Sequence, residues 1–270
     1  MTSGRSGESP DDFSLPGPNS ARVYDYFLGG VNNFGVDRAF AKQVVGLVPE
    51  IAAATRLNRR FIHRAVRYLV EQGVSQFLEI GCGTPTFGMV HEVAQAIEPG
   101  ARVVYVDSES VAVAHAELRL RQGVAGTGVL RADLCEPDEI LGSDTVQQLV
   151  DLSRPTAILL GAVLHFIPDS PRLTDALRSY VRAMASGSAL VISHATPDHD
   201  PERLGRAANL YQLTSPPLVI RSRDQIETLF SGTSLVEPGL VWTAAWRPEP
   251  DDVVDNPEMS GFYGGVGRKP

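Results

Sequence analysis

Gln76-Phe77-Leu78-Glu79-Ile80-Gly81-Cys82-Gly83-Thr84-Pro85-Thr86-Phe87-Gly88 decides the fold. An apolar run meets an acid, then Gly-x-Gly, then residues compatible with a helix. Some two dozen positions on, Arg102-Val103-Val104-Tyr105-Val106 ends at Asp107. A glycine turn between strand and helix lets a ligand approach the backbone, and an acid closing the next strand can hold two ribose hydroxyls. A third run ends in Arg131-Ala132-Asp133-Leu134, which sets a further carboxylate at the same edge. The three strand ends point to a nucleoside-containing cofactor on a parallel sheet.

Outward from that stretch the chain alternates. Strands are expected at 76–80, 102–106, 128–131, 156–163 and 188–193, with helices at 86–97, 109–121, 136–150 (broken near Gly142) and 171–185. Such alternation marks a doubly wound α/β sheet with right-handed crossovers. Further helices are expected at 201–213 and 222–231. LVEPGLVWTAAW then reads as a hairpin turning at Glu237-Pro238-Gly239.

Before the sheet, residues 20–28 read as a short helix capped by Asn19 or Ser20 and ended by Gly29-Gly30. Asp37 can cap a helix over 38–48, Pro49 can open another, and residues 56–72 carry helical periodicity stopped by Gly73. The expected organisation is a disordered tail over 1–18, a helical extension or lid over 19–73, a cofactor-binding domain over 74–248, and a tail over 249–270. The closing MSGFYGGVGRKP reads as flexible from its composition.

The 270 residues are 43% hydrophobic, ample for a packed core, and carry a net charge of -8. That charge counts against an extended nucleic-acid interface, which relies on a basic face. No apolar run is long enough for a membrane span, and the N-terminus lacks the apolar segment of a signal peptide. Two cysteines without metal or redox spacing suit a reducing cytoplasm, the expected location.

The acid-x-Gly-x-Gly turn with acids after the second and third strands resembles the motif series of class I S-adenosyl-L-methionine-dependent methyltransferases. The resemblance implies a Rossmann-like doubly wound sheet, mostly parallel with an antiparallel C-terminal hairpin strand and preceded by a helical extension. It implies cofactor contacts from Glu79, Gly81, Cys82, Gly83 and Thr84, from Asp107 and Ser108, and from Asp133 and Leu134. A sulfonium nucleoside has no phosphate, so a full three-glycine cradle is unnecessary. The position of the third glycine holds Thr86, which disfavours a dinucleotide.

A closer resemblance rests on ARVYDYFLGG with Asn33-Phe34 and Asp37, on Asn58-Arg59-Arg60-Phe61, and on QFLEIGCGTPTFGMVHEVAQ, VVYVDSES, LLGAVLHFIPD and LVISHATPD. It ends with SRDQIETLF, LVEPGLV and Trp246-Arg247-Pro248. Over roughly residues 19–248 the chain is similar to actinobacterial S-adenosylmethionine-dependent methyltransferase-like proteins of undefined substrate. Where that family has Leu in its glycine turn, this chain has Thr84.

Other candidates lie outside the core motif. Arg22 can pair with the cofactor carboxylate, Tyr24 or Tyr26 can face the sulfonium, and Gly30 and Asn58 complete the N-terminal set. The short helix with its glycines also reads as a structural cap, and Asn58 as part of a solvated helix face. Past the fourth strand His165 faces the expected transfer site and could accept a proton; His194 ends the fifth strand. Equally, His165 can serve to pair with the cofactor or a backbone carbonyl. Tyr211 is the candidate acceptor cover, with a packing role as its alternative. No metal site is expected, because no Cys or carboxylate shares the spacing of the histidines. The expected activity is methyl transfer to a small-molecule acceptor, with an oligomer possible on sequence grounds. The alternatives are a catalytically silent cofactor-binding regulator and an NAD-dependent oxidoreductase.

Overall fold

Five strands of almost unbroken apolar sequence form the parallel part of one sheet. The computed structural model describes residues 17–84, 88–121, 123–212, 214 and 217–270. Three helices come first: α1 (Ser20–Phe27), α2 (Gly35–Leu47) and α3 (Ile51–Glu71). The alternation follows as β1 (Gln76–Ile80), α4 (Val90–Gln95), β2 (Arg102–Asp107), α5 (Ser110–Leu120), β3 (Thr127–Arg131), α6 (Pro137–Gly142), α7 (Asp144–Leu149) and β4 (Ala157–Gly161). After a 3-10 turn at Leu164–Phe166 come α8 (Pro171–Ala183), β5 (Ala189–Ala195), α9 (Pro201–Tyr211) and α10 (Arg223–Thr228). Short strands β6 (Ser234–Leu235) and β7 (Val241–Trp242) precede β8 (Phe262–Arg268).

The sheet runs β3-β2-β1-β4-β5-β8-β6, with β7 also on β8. Strands β1 to β5 are parallel, and β8 is antiparallel to β5. Strand order reverses between β1 and β4, so their C-terminal ends open the crevice where such sheets bind ligands. The period of two in each strand divides the core. Leu78, Ile80, Val104, Val106, Ile158 and Leu160 face α6, α7 and α8. Phe77, Val103, Tyr105, Leu159 and Val191 face the other way, onto α3, α4 and Trp246. A third cluster joins α1, α2 and α9 through Val23, Phe27, Phe40, Val44 and Tyr211. Among the described residues no helix is long and apolar enough to cross a membrane.

Several expectations need correction. β6 and β7 are not a hairpin. Each pairs with β8, Leu235 opposite Gly267 and Val241 opposite Gly264, so they form one interrupted strand along its far edge. The C-terminal residues are not a flexible tail: β8 lies inside the sheet, pairing with β5 over seven residues. Its glycines answer a steric demand. A Cβ on Gly264 would stand 2.8 Å from Phe61 and 2.9 Å from Thr243. The segment before it is tied to α3, where buried Arg64 donates to the carbonyls of Thr243 (2.7 Å) and Trp246 (2.9 Å) and pairs with Asp252 (2.8 Å).

Smaller shifts have local causes. α2 starts at Gly35, and Asp37 sits in its first turn, accepting the Phe34 N–H at 2.8 Å. β4 stops at Gly161 because Ala162 takes a positive φ of 55°. The helix expected from residue 86 is seen as Val90–Gln95; Pro85, Thr86 and Phe87 lie outside the described residues, as does nearly all of the expected N-terminal tail. Ser143 separates α6 from α7, accepting the Val146 N–H, close to the expected break.

Candidate functional site

At the end of β1 the backbone turns under tight constraint. Gly81 has φ of +75°, and a Cβ there would collide with Val163. The N–H groups of Gly81 and Cys82 both donate to the Val106 carbonyl, at 2.8 and 3.1 Å. The next N–H, from Gly83, donates to one Asp107 carboxylate oxygen at 2.8 Å, while the other accepts from Glu109 N–H at 2.9 Å. Asp107 is therefore oriented by the turn it faces, and a carboxylate has about four acceptor positions, so capacity remains for hydroxyl donors. Burial raises its carboxyl above the ordinary range, and the two N–H bonds oppose that rise.

A cavity of about 360 Å³ opens over this turn. Gly81, Gly83, Thr84, Asp107, Ser108, Asp133 and Leu134 line it from the sheet side. Asp133 accepts the Cys135 N–H at 2.8 Å and pairs with Arg172 at 3.0 Å. The opposite wall comes from α1 and α3, through Asn19, Ser20, Tyr24 and Arg59. Its volume falls within the roughly 300–1,000 Å³ of ordinary ligand clefts.

Glu79 does not line this cavity but acts through Arg59, 2.9 Å away. Burial alone would lower the Arg59 guanidinium; the adjacent Glu79 carboxylate more than offsets it and raises it. Arg59 also donates to the Gly88 carbonyl, which contacts His63 Nε2 at 2.7 Å. Cys82 likewise stays outside the lining, and burial pushes its thiol well up.

The N-terminal candidates separate. Tyr24 lines the cavity, its hydroxyl accepting from Asn58 Nδ2 at 2.9 Å. Asn58 is buried behind it and reaches the site through that bond. Arg22 does not face the cavity. Its guanidinium is committed to Asp37 at 2.7 Å and lies 3.5 Å from Glu109, which joins the helical extension to the β2–α5 turn. Tyr26 packs edge-on with Phe27, outside the site. At Gly30 a Cβ would collide with the Asp25 carboxylate, which accepts from Asn32 N–H and Asn33 Nδ2. Gly30 thus closes a loop rather than a ligand site.

A second chamber, about 90 Å³, adjoins the first; Ser20, Tyr24 and Phe166 line both. His165 and Tyr211 lie on its wall. Tyr211 is buried, edge-on to Phe40 with centroids 5.0 Å apart. Burial holds both strand-end histidines toward the neutral form. His165 Nδ1 accepts the Ala195 N–H at 3.2 Å, and burial, then His194 and Arg221, hold it well below its ordinary value. His194 is wholly buried and reaches neither cavity. Its Nδ1 bonds the Ala195 carbonyl at 2.6 Å, and its Nε2 faces Arg221 Nη1 at 2.7 Å, so that nitrogen is an acceptor. Burial lowers its pKa to about 3. Arg221 in turn binds Asp169 and the Leu164 and Ile167 carbonyls, so His194 supports the loop after β4.

Phe166, Ser20 and Glu109, all on the cavity walls, carry no site signal in the sequence. Phe166 directly follows His165, but only the 3-10 turn aims its ring at the junction of the chambers. Among the described residues no group of three metal-ligating side chains converges.

The family model described as S-adenosyl methyltransferase matches residues 7–270. The chain belongs to this methyltransferase family. It is 33% identical to a DUF574 family protein from Streptomyces avermitilis, with 94% of this chain and 98% of that one covered at a TM-score of 0.89. A candidate methyltransferase from Thermobifida fusca is 36% identical, covering 98% and 99% of the chains, at a TM-score of 0.86. The N-methyltransferase NodS from Bradyrhizobium japonicum, in complex with S-adenosyl-L-homocysteine, is 17% identical over 92% of this chain and 99% of that one. Its TM-score of 0.50 speaks to fold alone. No curated protein matches the chain. This S-adenosyl methyltransferase thus has the mixed sheet of its class, mostly parallel with antiparallel C-terminal strands.

Proposed function

We propose that this methyltransferase transfers the methyl group of S-adenosylmethionine to a small-molecule acceptor in the cytoplasm. The observation that carries the reading is the pair of adjoining chambers, one walled by oriented carboxylates and one mostly apolar, meeting at Tyr24 and Phe166. The residues present fit the cofactor. Asp107 offers acceptor positions to ribose hydroxyls, Asp133 to an exocyclic amine, and the Gly81–Gly83 backbone to the amino-acid part. The negative net charge supports a small molecule over nucleic acid, and two free cysteines suit a reducing compartment.

The bound cofactor supplies an electrophilic methyl group. The chain holds the acceptor in line and excludes water from the junction, which is catalysis by proximity. Neutral His165, its Nδ1 occupied, presents Nε2–H as a hydrogen-bond donor to the acceptor chamber. That arrangement positions an acceptor atom that is already nucleophilic. It also favours the silent-regulator reading over base catalysis, and an acceptor screen separates the two.

Calorimetric titration with S-adenosylmethionine, S-adenosylhomocysteine and NAD tests the cofactor. Binding of both sulfur nucleosides and none of NAD is expected. Binding of NAD alone, or of nothing by folded protein, refutes the reading.

A further inference from the structure

The second chamber has unlike walls. Much of its lining is apolar, with Phe27, Val44, Ile51 and Leu204 among its residues. Tyr24 and Phe166 are its aromatic boundary, shared with the cofactor crevice. The loop after β5 and the turn before β8 contribute His199 and Glu258.

The charges there do not balance. Arg203 on the wall is paired with Glu50 and lies 3.0 Å from Asp200, so its positive charge is already matched. Glu258, half-buried on the 3-10 turn Pro257–Ser260, has no side-chain hydrogen bond or ion pair among the described residues. The His199 ring is likewise without a hydrogen bond there. A carboxylate beside an apolar wall gains from a cation and repels an anion.

Resting on the methyl-transfer reading, we propose that the acceptor is a small aliphatic amine. Its hydrocarbon body lies along the apolar walls and its ammonium sits on Glu258, while a second, neutral amine nitrogen at the other end of the chain lies at Tyr24 and Phe166, where its lone pair takes the methyl group and S-adenosylhomocysteine is the leaving group. The chamber measures about 90 Å³. An apolar cavity of about 150 Å³ is known to take up benzene, so the smaller space favours an alkyl chain over a ring.

The test is calorimetric titration of the full chain, saturated with S-adenosylhomocysteine, with hexylamine, hexan-1-ol and hexanoate as probes. Hexylamine should bind at least about tenfold more tightly than hexanoate, the size of a charge-assisted contact. Glu258→Gln should abolish that preference and Glu258→Lys should reverse it, in variants whose thermal transitions show them folded. Equal affinities, a hexanoate preference, no binding of any probe, or an amine preference surviving both substitutions would overturn the assignment. Failure of S-adenosylhomocysteine to bind in the first place would instead remove the methyl-transfer reading, and this assignment with it.

Discussion

The two ends of the sheet were built by different rules. At the β1–β2–β3 end, apolar strands lead into Asp107 and Asp133, and the Gly81 turn is held by the end of the adjacent strand, through Val106 and Asp107. At the β5–β8 end, a strand rich in glycine is enclosed by residues from four distant segments: Phe61, Leu235, Thr243 and β5. The same residue type does opposite work. At the first end glycine serves a backbone angle beside a cavity; at the second it makes room for the core. Composition alone reads Phe262-Tyr263-Gly264-Gly265-Val266 as loose, yet all five residues are buried.

The sharpest way to break this comparison is to delete residues 262–270. If they are a sheet strand, the protein loses its cooperative unfolding transition; a tail would leave it unchanged. A smaller step is Arg64→Met, which leaves Asp252 to Arg60 alone and strips two buried carbonyls of their donor. It should cost about 3 kcal/mol in urea unfolding, the scale of a broken buried pair, with S-adenosylhomocysteine affinity little altered.

At the other end the effects reverse. Asp107→Asn should leave urea stability within about 1 kcal/mol, because Asn keeps one acceptor for the Gly83 turn. It should weaken cofactor binding about tenfold or more, the value of a hydrogen bond to a charged group. Equal loss of stability and affinity would make Asp107 a turn residue only.

The smallest effect is a pH slope. His194 titrates at about 3 when folded against 6.5 for an ordinary histidine. Its neutral form is favoured by the fold, so this stability is complete above pH 6.5 and is lost as pH falls towards 3. Between pH 6.5 and 5.5 the loss should be about 1 kcal/mol from this residue. His194→Asn should flatten the slope of unfolding free energy over that interval; an unchanged slope would locate the acid sensitivity elsewhere.

Much of the crevice was legible because its signals are local. Gly81, Gly83, Asp107 and Asp133 sit at the junction of strand and turn, where a short stretch of chain dictates both conformation and exposure. The histidines were less legible. His165 and His194 do lie at strand ends on the ligand edge, but their protonation is set first by burial and then by partners such as Arg221, 27 residues beyond His194. Arg22 was misplaced for the same reason: its partner, Asp37, belongs to the next helix. Tyr24 reached the cavity because α1 packs across the sheet edge, a placement no periodicity encodes.

By itself, then, the sequence determined the alternation, the crevice and its carboxylates, since apolar period, glycine turns and strand-end acids act over a few residues. Tertiary structure alone decided that the last nine residues complete the sheet, that His194 is a support, and that two chambers meet at Tyr24. Those outcomes depend on burial and on partners distant in sequence, and burial sets both the room for a side chain and the charge it can carry.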